Sequence, residues 1–327
     1  MTRRLPLPLA LPLALLAPAA ASAQSNAIDV PLAAGGVVRV EFTDAAGGVN
    51  PDLAAAYVGY LDSIPHGAEL QRLLVRVSSP EQIAGLCGGL EREGILACYE
   101  ARQNRMNVPN VGLDATTADG VYSVRYILTH EYGHHIAHHR ANDGFRGGAL
   151  DWGPKLWASQ QLVCRGVQRR QLFPGDEGRR YRANPGEAWA EAYARLVFPD
   201  QPWRFTPRLQ PDAIALDAAR RDVVEPWTRN RGMAGFTMAA GRRTQRFAVP
   251  LSLDGTVKVL VRGPRRSEVG VRLRLDGRSL GASHRRGSTD TLTRTGVCRS
   301  GPTQRLGITA IRRGGRGPVK ILVSYPG

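Results

Sequence analysis

The chain has 327 residues with 44 Lys or Arg against 28 Asp or Glu, which gives a formal net charge of +16. This length predicts two domains after removal of a targeting segment. The chain is basic, but its sequence has no helix-turn-helix pattern, zinc-finger spacing or aromatic ribonucleoprotein motif. No nucleic acid partner is therefore expected. The charge instead predicts attraction to anionic surfaces such as cell-wall polymers.

The first residues have the pattern of a secretory signal peptide. Arg3 and Arg4 precede an apolar run over residues 5–20, and Ala-Ser-Ala at 21–23 matches the small-residue cleavage rule. The alternative is an N-terminal membrane anchor, which is disfavoured because the run is short and interrupted by four prolines. We expect residues 1–23 to be removed and the mature protein to be secreted, with no integral membrane segment.

The region that follows the signal favours mixed α and β structure. Apolar runs predict the strands, and Asn50 before Pro51 predicts a helix N-cap. One of the two weakest strands would be the sheet edge that accepts an extended substrate by strand addition. The predicted elements are a strand at 37–42, a helix at 51–63, a strand at 73–77, and weaker strands at 95–100 and 103–108.

Four cysteines, Cys87, Cys98, Cys164 and Cys298, predict disulfides in an exported chain. Their spacings do not match a cysteine zinc site. Three connectivities are possible, and the sequence does not choose between them. We favour a bridge between Cys87 and Cys98, which are close in sequence and flank glycines. The remaining pair would then tie the catalytic part to the C-terminal part.

The most informative motif is a His-Glu-x-x-His sequence formed by His130, Glu131 and His134. It lies in a helix predicted from about 121 to 139, with Asp119 as a possible cap. Four residues make about one helical turn, so both imidazoles project from one face and can hold one zinc ion. Glu131 then lies where it can take a proton from a metal-activated water. The alternative is a solvated, histidine-rich helix end.

A second predicted helix, at 184–196, offers a third ligand. Glu187 and Glu191 are four residues apart and share a face. Glu187 would complete a His-His-Glu zinc site that leaves the fourth position to water. Glu191 could accept a proton from the free ring nitrogen of a ligand histidine and so orient that ring. The alternatives are a capping box for Glu187, with Asn184 as the N-cap, and a solvated helix face for Glu191.

Together these residues carry a family resemblance. The His-Glu-x-x-His motif followed by Glu187 and Glu191 resembles the pattern of the gluzincin zinc metallopeptidases. The second helix is similar to the corresponding helix of the anthrax lethal factor protease domain. The resemblance covers roughly residues 120–200. It implies a zincin-like catalytic domain that binds Zn²⁺ and hydrolyses a protein or peptide substrate.

The resemblance also implies roles for individual residues. In such sites a tyrosine often stabilises the oxyanion, and Tyr181 is the candidate here. The chain lacks the metzincin extension after His134, although His138 lies four residues further on. One straight helix cannot wrap three consecutive turns around one ion, so His138 ranks below Glu187. The implied catalytic residues are Glu131 and Tyr181, and the implied metal ligands are His130, His134 and Glu187.

Three further segments complete the chain before its last part. The glycine-bearing region at 141–180 could shape one wall of a cleft, or it is an ordinary surface excursion. A helix is predicted at 211–224. Polar, charged and glycine-bearing residues at 228–244 predict the domain boundary.

The C-terminal part changes to the period of two that is typical of strands. Apolar residues alternate with polar or small ones, and Asp254-Gly255 and Asp276-Gly277 are hairpin-turn signals. This pattern predicts a small antiparallel sandwich. The predicted fold is an α+β zincin-like catalytic domain at 24–235 followed by an all-β sandwich domain at 244–327.

Three functional hypotheses follow. The leading one is a secreted zinc-dependent endopeptidase in which metal-activated water attacks the peptide bond and Glu131 is the general base. The alternative is a non-catalytic protein that binds the cell wall or another anionic surface and keeps a structural zinc site. A third possibility is a zinc hydrolase acting on the amide bonds of wall peptides.

Overall fold

A computed structural model of the protein describes residues 26–88, 95–116, 120–142, 148–228, 231–301 and 304–327. The signal peptide predicted at 1–23 lies outside these residues. Within them, no helix combines the length and the apolar character needed to cross a membrane.

A five-stranded sheet organises the N-terminal part. Its strands are β1 (Ala27–Pro31), β2 (Val37–Phe42), β3 (Leu74–Ser78), β4 (Cys98–Glu100) and β5 (Arg105–Pro109). The order is β1-β2-β3-β5-β4, in which the three central strands are parallel and the edge strands β1 and β4 are antiparallel to their neighbours. The strand predicted at 37–42 is confirmed. The other three begin one to three residues later than predicted.

The four longest helices of the described residues begin at polar N-cap residues. Asn50, Asn184 and Asp212 each accept a hydrogen bond from a backbone N–H of the helix that they precede. Three short helices lie in the segment that the sequence marks as an insertion. The helices are α1 (Pro51–Ser63), α2 (Pro80–Leu86), α3 (Val124–His138), α4 (Gly148–Trp152), α5 (Lys155–Gln160), α6 (Val163–Gln168), α7 (Pro185–Val197) and α8 (Ala213–Val224).

Helix α3 begins later than the sequence predicts. The expected start was residue 121 with Asp119 as the cap, but Asp119 lies outside the described residues. Ser123 is the N-cap instead, because its hydroxyl accepts a hydrogen bond from the backbone N–H of Tyr126 at 3.2 Å. The prediction of the cap was therefore wrong, while the helix itself is present.

Helices α3 and α7 pack almost backbone to backbone at Gly133. A Cβ atom added to Gly133 would lie 2.9 Å from the Cα of Ala190. The indole N–H of Trp189 donates to the Gly133 carbonyl at 3.0 Å and fixes the same contact. Only a residue without a side chain allows the two helices to approach this closely. The approach brings the side chains of one helix within reach of those of the other.

The C-terminal part is a β-sandwich in the described residues, as predicted. Its strands form two antiparallel four-stranded sheets, in the orders β10-β9-β12-β7 and β11-β8-β13-β6, and alternate apolar residues of both sheets share one core. The strands are β6 (Arg231–Met238), β7 (Thr244–Leu251), β8 (Gly255–Arg262), β9 (Glu268–Leu275), β10 (Arg278–Ser283), β11 (Thr289–Val297), β12 (Gln304–Gly314) and β13 (Val319–Pro326).

One of the two predicted hairpin turns is confirmed and the other is not. Asp276 and Gly277 join the paired strands β9 and β10 with φ angles of 44° and 82°, as a type I′ turn requires. The hairpin predicted at Asp254-Gly255 is wrong, because β7 and β8 lie in different sheets. Asp254 is instead buried: its backbone N–H donates to Ser159, and its carboxylate accepts from the backbone N–H of Arg299.

The sandwich begins earlier than the predicted residue 244. Strand β6 covers residues 231–238 and pairs along its whole length with β13. It is an edge strand with a single hydrogen-bonded neighbour and three small residues, so its sequence lacks the strong alternation that marks the other strands.

Both favoured disulfides are present. Cys87 bonds to Cys98, which links the end of α2 to β4. Cys164 of α6 bonds to Cys298 after β11, across 134 residues of sequence. The second bridge and the buried Asp254 therefore fasten the sandwich to the N-terminal part.

Replacing Gly133 by alanine should destabilise the protein by about 1–3 kcal/mol, since the new methyl group forces α3 and α7 apart. Gly59 provides a matched control. It lies in α1 with open space around its Cβ position, so Gly59→Ala should be neutral or stabilising by up to about 1 kcal/mol. Urea unfolding of the two variants measures both effects. Equal stability of the two variants would contradict the close packing at Gly133.

Candidate metal centre

Two imidazoles and one carboxylate converge where α3 meets α7. His130 and His134 lie one turn apart on α3, and Glu187 lies in the first turn of α7. His130 Nε2 is 3.3 Å from one carboxylate oxygen of Glu187, and His134 Nε2 is 3.3 Å from the other. One donor atom from each residue lies within 4.8 Å of the other two. The predicted ligand residues are therefore brought together.

The spacing of these donors suits a metal ion. Zinc bonds of ~2.0–2.2 Å at tetrahedral angles place neighbouring ligand atoms roughly 3.3–3.5 Å apart. Each ring nitrogen lies 3.3 Å from its own oxygen of the Glu187 carboxylate, and these two separations are in this range. Neutral imidazoles and a carboxylate are also ligands that a divalent transition metal accepts. The three residues could therefore hold a metal ion.

The charges around His130 favour a cation at this position. Burial alone would lower the pKa of His130, but the carboxylates of Glu187 and Glu191 raise it to about 10. Burial alone would raise the pKa of Glu187, but the imidazoles of His134 and His130 hold it well below its usual range. A bound metal cation would replace the protons on these rings, so metal binding should release protons.

Glu191 contacts the ring of His130 on the side that faces away from Glu187. Its carboxylate oxygen lies 3.5 Å from His130 Nδ1, the ring nitrogen that faces away from Glu187. The hydroxyl of Tyr126 donates to the same oxygen. Such partners fix the tautomer and the direction of a ligand ring. Glu191 is thus placed where the sequence analysis put it, one turn after Glu187.

Tyr126 was missed by the sequence analysis. It lies four residues before His130 on α3, so the helical period places its side chain on the face that carries both imidazoles. Burial, followed by the charge of Glu191, raises the pKa of Tyr126, so the phenol stays a hydrogen-bond donor. The i, i+4 spacing from His130 was the signal that could have identified it.

Glu131 lies beside the cluster and lines the same cleft. Burial raises the pKa of its carboxyl, and the neighbouring His134 and His130 oppose that shift. The backbone of Tyr99, in the edge strand β4, contributes a hydrogen bond to the carboxylate. The carboxylate therefore lies between the predicted metal ligands and the edge strand β4, which is half-buried.

Tyr181 reaches the cluster from the 3₁₀ turn Tyr181–Ala183, just before α7. Its hydroxyl donates to Glu187 at 2.6 Å, and its ring packs against Phe205 with centroids 5.5 Å apart. Burial, followed by the charge of Glu187, raises the pKa of Tyr181, so the hydroxyl keeps its proton. Tyr181 is therefore a neutral donor next to the candidate metal centre, and a role in catalysis stays a prediction.

The alternative interpretations of these residues fit the geometry less well. Asn184 caps α7 through Gly186, while the Glu187 carboxylate faces the two imidazoles. His138 is exposed and stands apart from the donor group, with its ring 6.1 Å from that of Tyr99. His135, also on α3, is fully buried, so the histidine cluster is not a solvated helix end.

An open cleft of about 920 Å³ contains the candidate centre. One wall is the chain from Ile95 to Tyr99, which includes part of β4. The predicted insertion contributes Leu150, Asp151 and Glu177, so it does shape a wall of the cleft. Tyr122 and Arg204 also line the cleft and were not predicted; they stack with the guanidinium carbon 3.8 Å from the ring centre. No motif marks this pair in the sequence.

Comparisons with known proteins assign no family. No protein-family model matches the chain, and no curated protein matches it. Parts of the chain are similar to dimeric latent PorU from Porphyromonas gingivalis (10% identity, 29% of this chain, 13% of that chain, TM-score 0.20). Other similar structures are the carbohydrate-binding module CBM36 (9% identity, 28% and 70% coverage, TM-score 0.18) and the sugar-binding C-terminal domain of EclA (13% identity, 31% and 84% coverage, TM-score 0.20). This chain thus spans only a small share of PorU, and TM-scores this low carry no argument about function.

Glu187→Ala should weaken metal binding by at least about two orders of magnitude, since it removes one of three protein ligands. The matched control is His138→Ala, which removes an exposed imidazole from the same helix and should leave binding unchanged. Competition with a chromogenic chelator measures zinc affinity in both variants. Wild-type affinity in Glu187→Ala, or loss of affinity in His138→Ala, would place the third ligand elsewhere.

Proposed function

We propose that the protein is a secreted zinc-dependent endopeptidase with a zincin-like catalytic part and Zn²⁺ as its metal. The observation that carries this proposal is the convergence of His130, His134 and Glu187 in an open cleft beside Glu131. Three protein donors with one side open to solvent are typical of catalytic zinc sites, whereas structural sites are closed by a fourth ligand. The described residues offer only three donors in this group.

The chain's own groups divide the chemistry between them. When bound, zinc supplies a Lewis acid that polarises the scissile carbonyl and acidifies a water molecule. Glu131 accepts the proton of the attacking water and delivers it to the leaving amine nitrogen. Its burial favours a pKa above that of an ordinary glutamate, which suits a group that must both take and return a proton.

Tyr181 would stabilise the developing charge. Its protonated hydroxyl already lies 2.6 Å from Glu187, so a short rotation could move the donor toward the oxyanion of the substrate. Glu191 has a different task, because it contacts the His130 nitrogen that faces away from Glu187 and holds the ring in place. Tyr126 supports it by donating a hydrogen bond to the same carboxylate oxygen.

The substrate would be a protein or peptide in an extended conformation. Strand β4 pairs only with β5 among the described residues, and it runs along the cleft next to Glu131. An extended chain could add to the free edge of β4 through backbone hydrogen bonds. The same cleft would accept the amide bonds of wall peptides, so substrate trials must include both classes.

Export is supported by the cysteines. All four cysteines are paired in disulfides, which persist in oxidising compartments outside the cytosol. Disulfide pairing is expected if the predicted signal peptide directs the chain to such a compartment. A non-catalytic wall-binding protein would need neither a base at Glu131 nor an open metal position, so that alternative ranks second.

Glu131→Gln should keep zinc bound but lower peptide hydrolysis by about 10²–10⁴-fold, because the amide cannot accept the proton. Glu81→Gln is the matched control, since Glu81 is exposed at the start of α2. Cleavage of a mixture of unstructured peptides and of purified wall peptides, followed by mass spectrometry, gives the rates. Full activity in Glu131→Gln would rule out its role as the base.

Tyr181→Phe should lower kcat by about 10²–10³-fold with little change in KM or zinc affinity, as expected for loss of an oxyanion donor. The hydroxyl is the only group removed, and the ring keeps its contact with Phe205. Steady-state kinetics and zinc titration of the same preparation separate the two effects. A fall in zinc affinity with unchanged kcat would show that Tyr181 positions Glu187 and nothing more.

A further inference from the structure

The net charge of the chain is confined to the sandwich. Residues 231–327 contain 20 Lys or Arg against 4 Asp or Glu, which is a net charge of +16. The preceding 230 residues contain 24 of each and are neutral. A general preference for arginine in the source genome would affect both parts alike, so the partition points to a function of the sandwich.

Four arginines of the sandwich form one surface, which we call the arginine face. It is the outward side of the sheet β10-β9-β12-β7. Arg246 and Arg272 lie on either side of Thr309, each in register with it. Arg274 lies two residues along from Arg272, and Arg305 extends the surface along β12. All four side chains are exposed.

The spacing follows from the sheet itself. Residues on the same side of a strand are roughly 7 Å apart, and the two arginines that flank Thr309 are roughly 10 Å apart across two strand spacings. Several positions between and beside the arginines carry small side chains, which keep the surface flat and the guanidinium groups accessible. These positions are Ala248, Ser279, Ala282, Gly307 and Thr309.

The four side chains of the arginine face are not paired with carboxylates. Within the described residues, Arg246, Arg272, Arg274 and Arg305 make no ion pair and no side-chain hydrogen bond. Two of the four sandwich acids, Asp254 and Asp290, are buried and bonded elsewhere. Asp276 accepts hydrogen bonds from Ser300 and Gln304, and Glu268 is exposed at the first position of β9. In contrast, six arginines of the N-terminal part are paired with carboxylates. They are Arg39, Arg76, Arg105, Arg125, Arg140 and Arg220.

We propose that the arginine face binds a flexible, phosphodiester-linked polyol polymer of the cell envelope. Guanidinium groups bind phosphate oxygens bidentately, and repeated phosphates on one flexible chain could contact several arginines of a flat surface. The strand positions of the face carry no aromatic side chain for stacking on sugar rings or bases, so recognition rests on charge. A stiff duplex would touch a flat surface along one line of phosphates only.

This binding would hold the candidate metal centre close to the polymer. The sandwich is fastened to the N-terminal part by the disulfide between Cys164 and Cys298 and by the contacts of Asp254. A polymer bound to the arginine face would therefore keep the cleft close to the envelope. The inference does not depend on the proposed peptidase activity, because binding is measured without a peptide substrate.

The test compares two variants that lose the same charge. The first replaces Arg246, Arg272, Arg274 and Arg305 by Gln. The control replaces Lys258, Arg262, Arg265 and Lys320 by Gln, which are exposed residues on or beside the opposite sheet. The probes are a purified poly(glycerol phosphate) teichoic acid and a DNA duplex, titrated into the full mature chain at several salt concentrations.

We expect the arginine-face variant to bind teichoic acid at least about 30-fold more weakly, with a salt slope reduced by about 3, because each lost phosphate contact reduces the slope by ~0.7–0.9. The control variant should lose less than about threefold. Equal losses in both variants would leave net charge alone as the cause and overturn the proposal. Tighter binding of the duplex at equal phosphate concentration would also overturn it, in favour of a nucleic acid. Thermal unfolding checks that both variants are folded.

Discussion

The candidate centre depends on the contact between α3 and α7 at Gly133. The two histidines and Glu187 are separated by more than fifty residues of sequence, and nothing local brings them together. The missing side chain at Gly133 lets Ala190 approach, and Trp189 locks the contact through the Gly133 carbonyl. Because interiors are close-packed, a small change of helix spacing there would move the carboxylate away from the imidazoles. The glycine inside the motif is therefore part of the site's architecture.

A second constraint is the burial of charge. Glu187 and Glu191 are both nearly inaccessible to solvent, and buried carboxylates are costly unless they are paired. Their partners are His130, His134, Tyr126 and Tyr181. The contacts between imidazoles and carboxylates raise the pKa of His130 and lower that of Glu187, against the effect of burial on each. Such opposed shifts are common at functional sites. The arrangement suits a bound cation. It also stabilises the buried polar residues of each helix by pairing them with those of the other.

Much of this was predictable from local patterns. The one-turn spacing of His130 and His134, the proline-started helix carrying Glu187, and the alternation of the C-terminal strands all follow from helix and strand periods. The pairing of Cys87 with Cys98 followed from their closeness in sequence. These features need no knowledge of which elements meet in space.

Other features needed the tertiary structure. Asp254-Gly255 has the sequence of a hairpin turn, but the chain there crosses from one sheet to the other. The Asp254 carboxylate accepts a hydrogen bond from the backbone N–H of Arg299. Strand β6 was missed because its pairing with β13 comes from the far end of the chain. The stacked Tyr122 and Arg204, eighty-two residues apart, become neighbours only in the folded cleft. The arginine face likewise required the strand register, since composition alone gave the charge but not its location.

The most direct test of the central claim is X-ray absorption spectroscopy of the purified mature protein at the zinc edge. The account predicts one zinc per chain, with two nitrogen donors and oxygen donors at ~2.0–2.2 Å and no sulfur. It also predicts that the nitrogen signal is lost when His130 and His134 are replaced. Absence of zinc, or a zinc shell that survives those replacements, would contradict the assignment of the metal centre to the junction of α3 and α7.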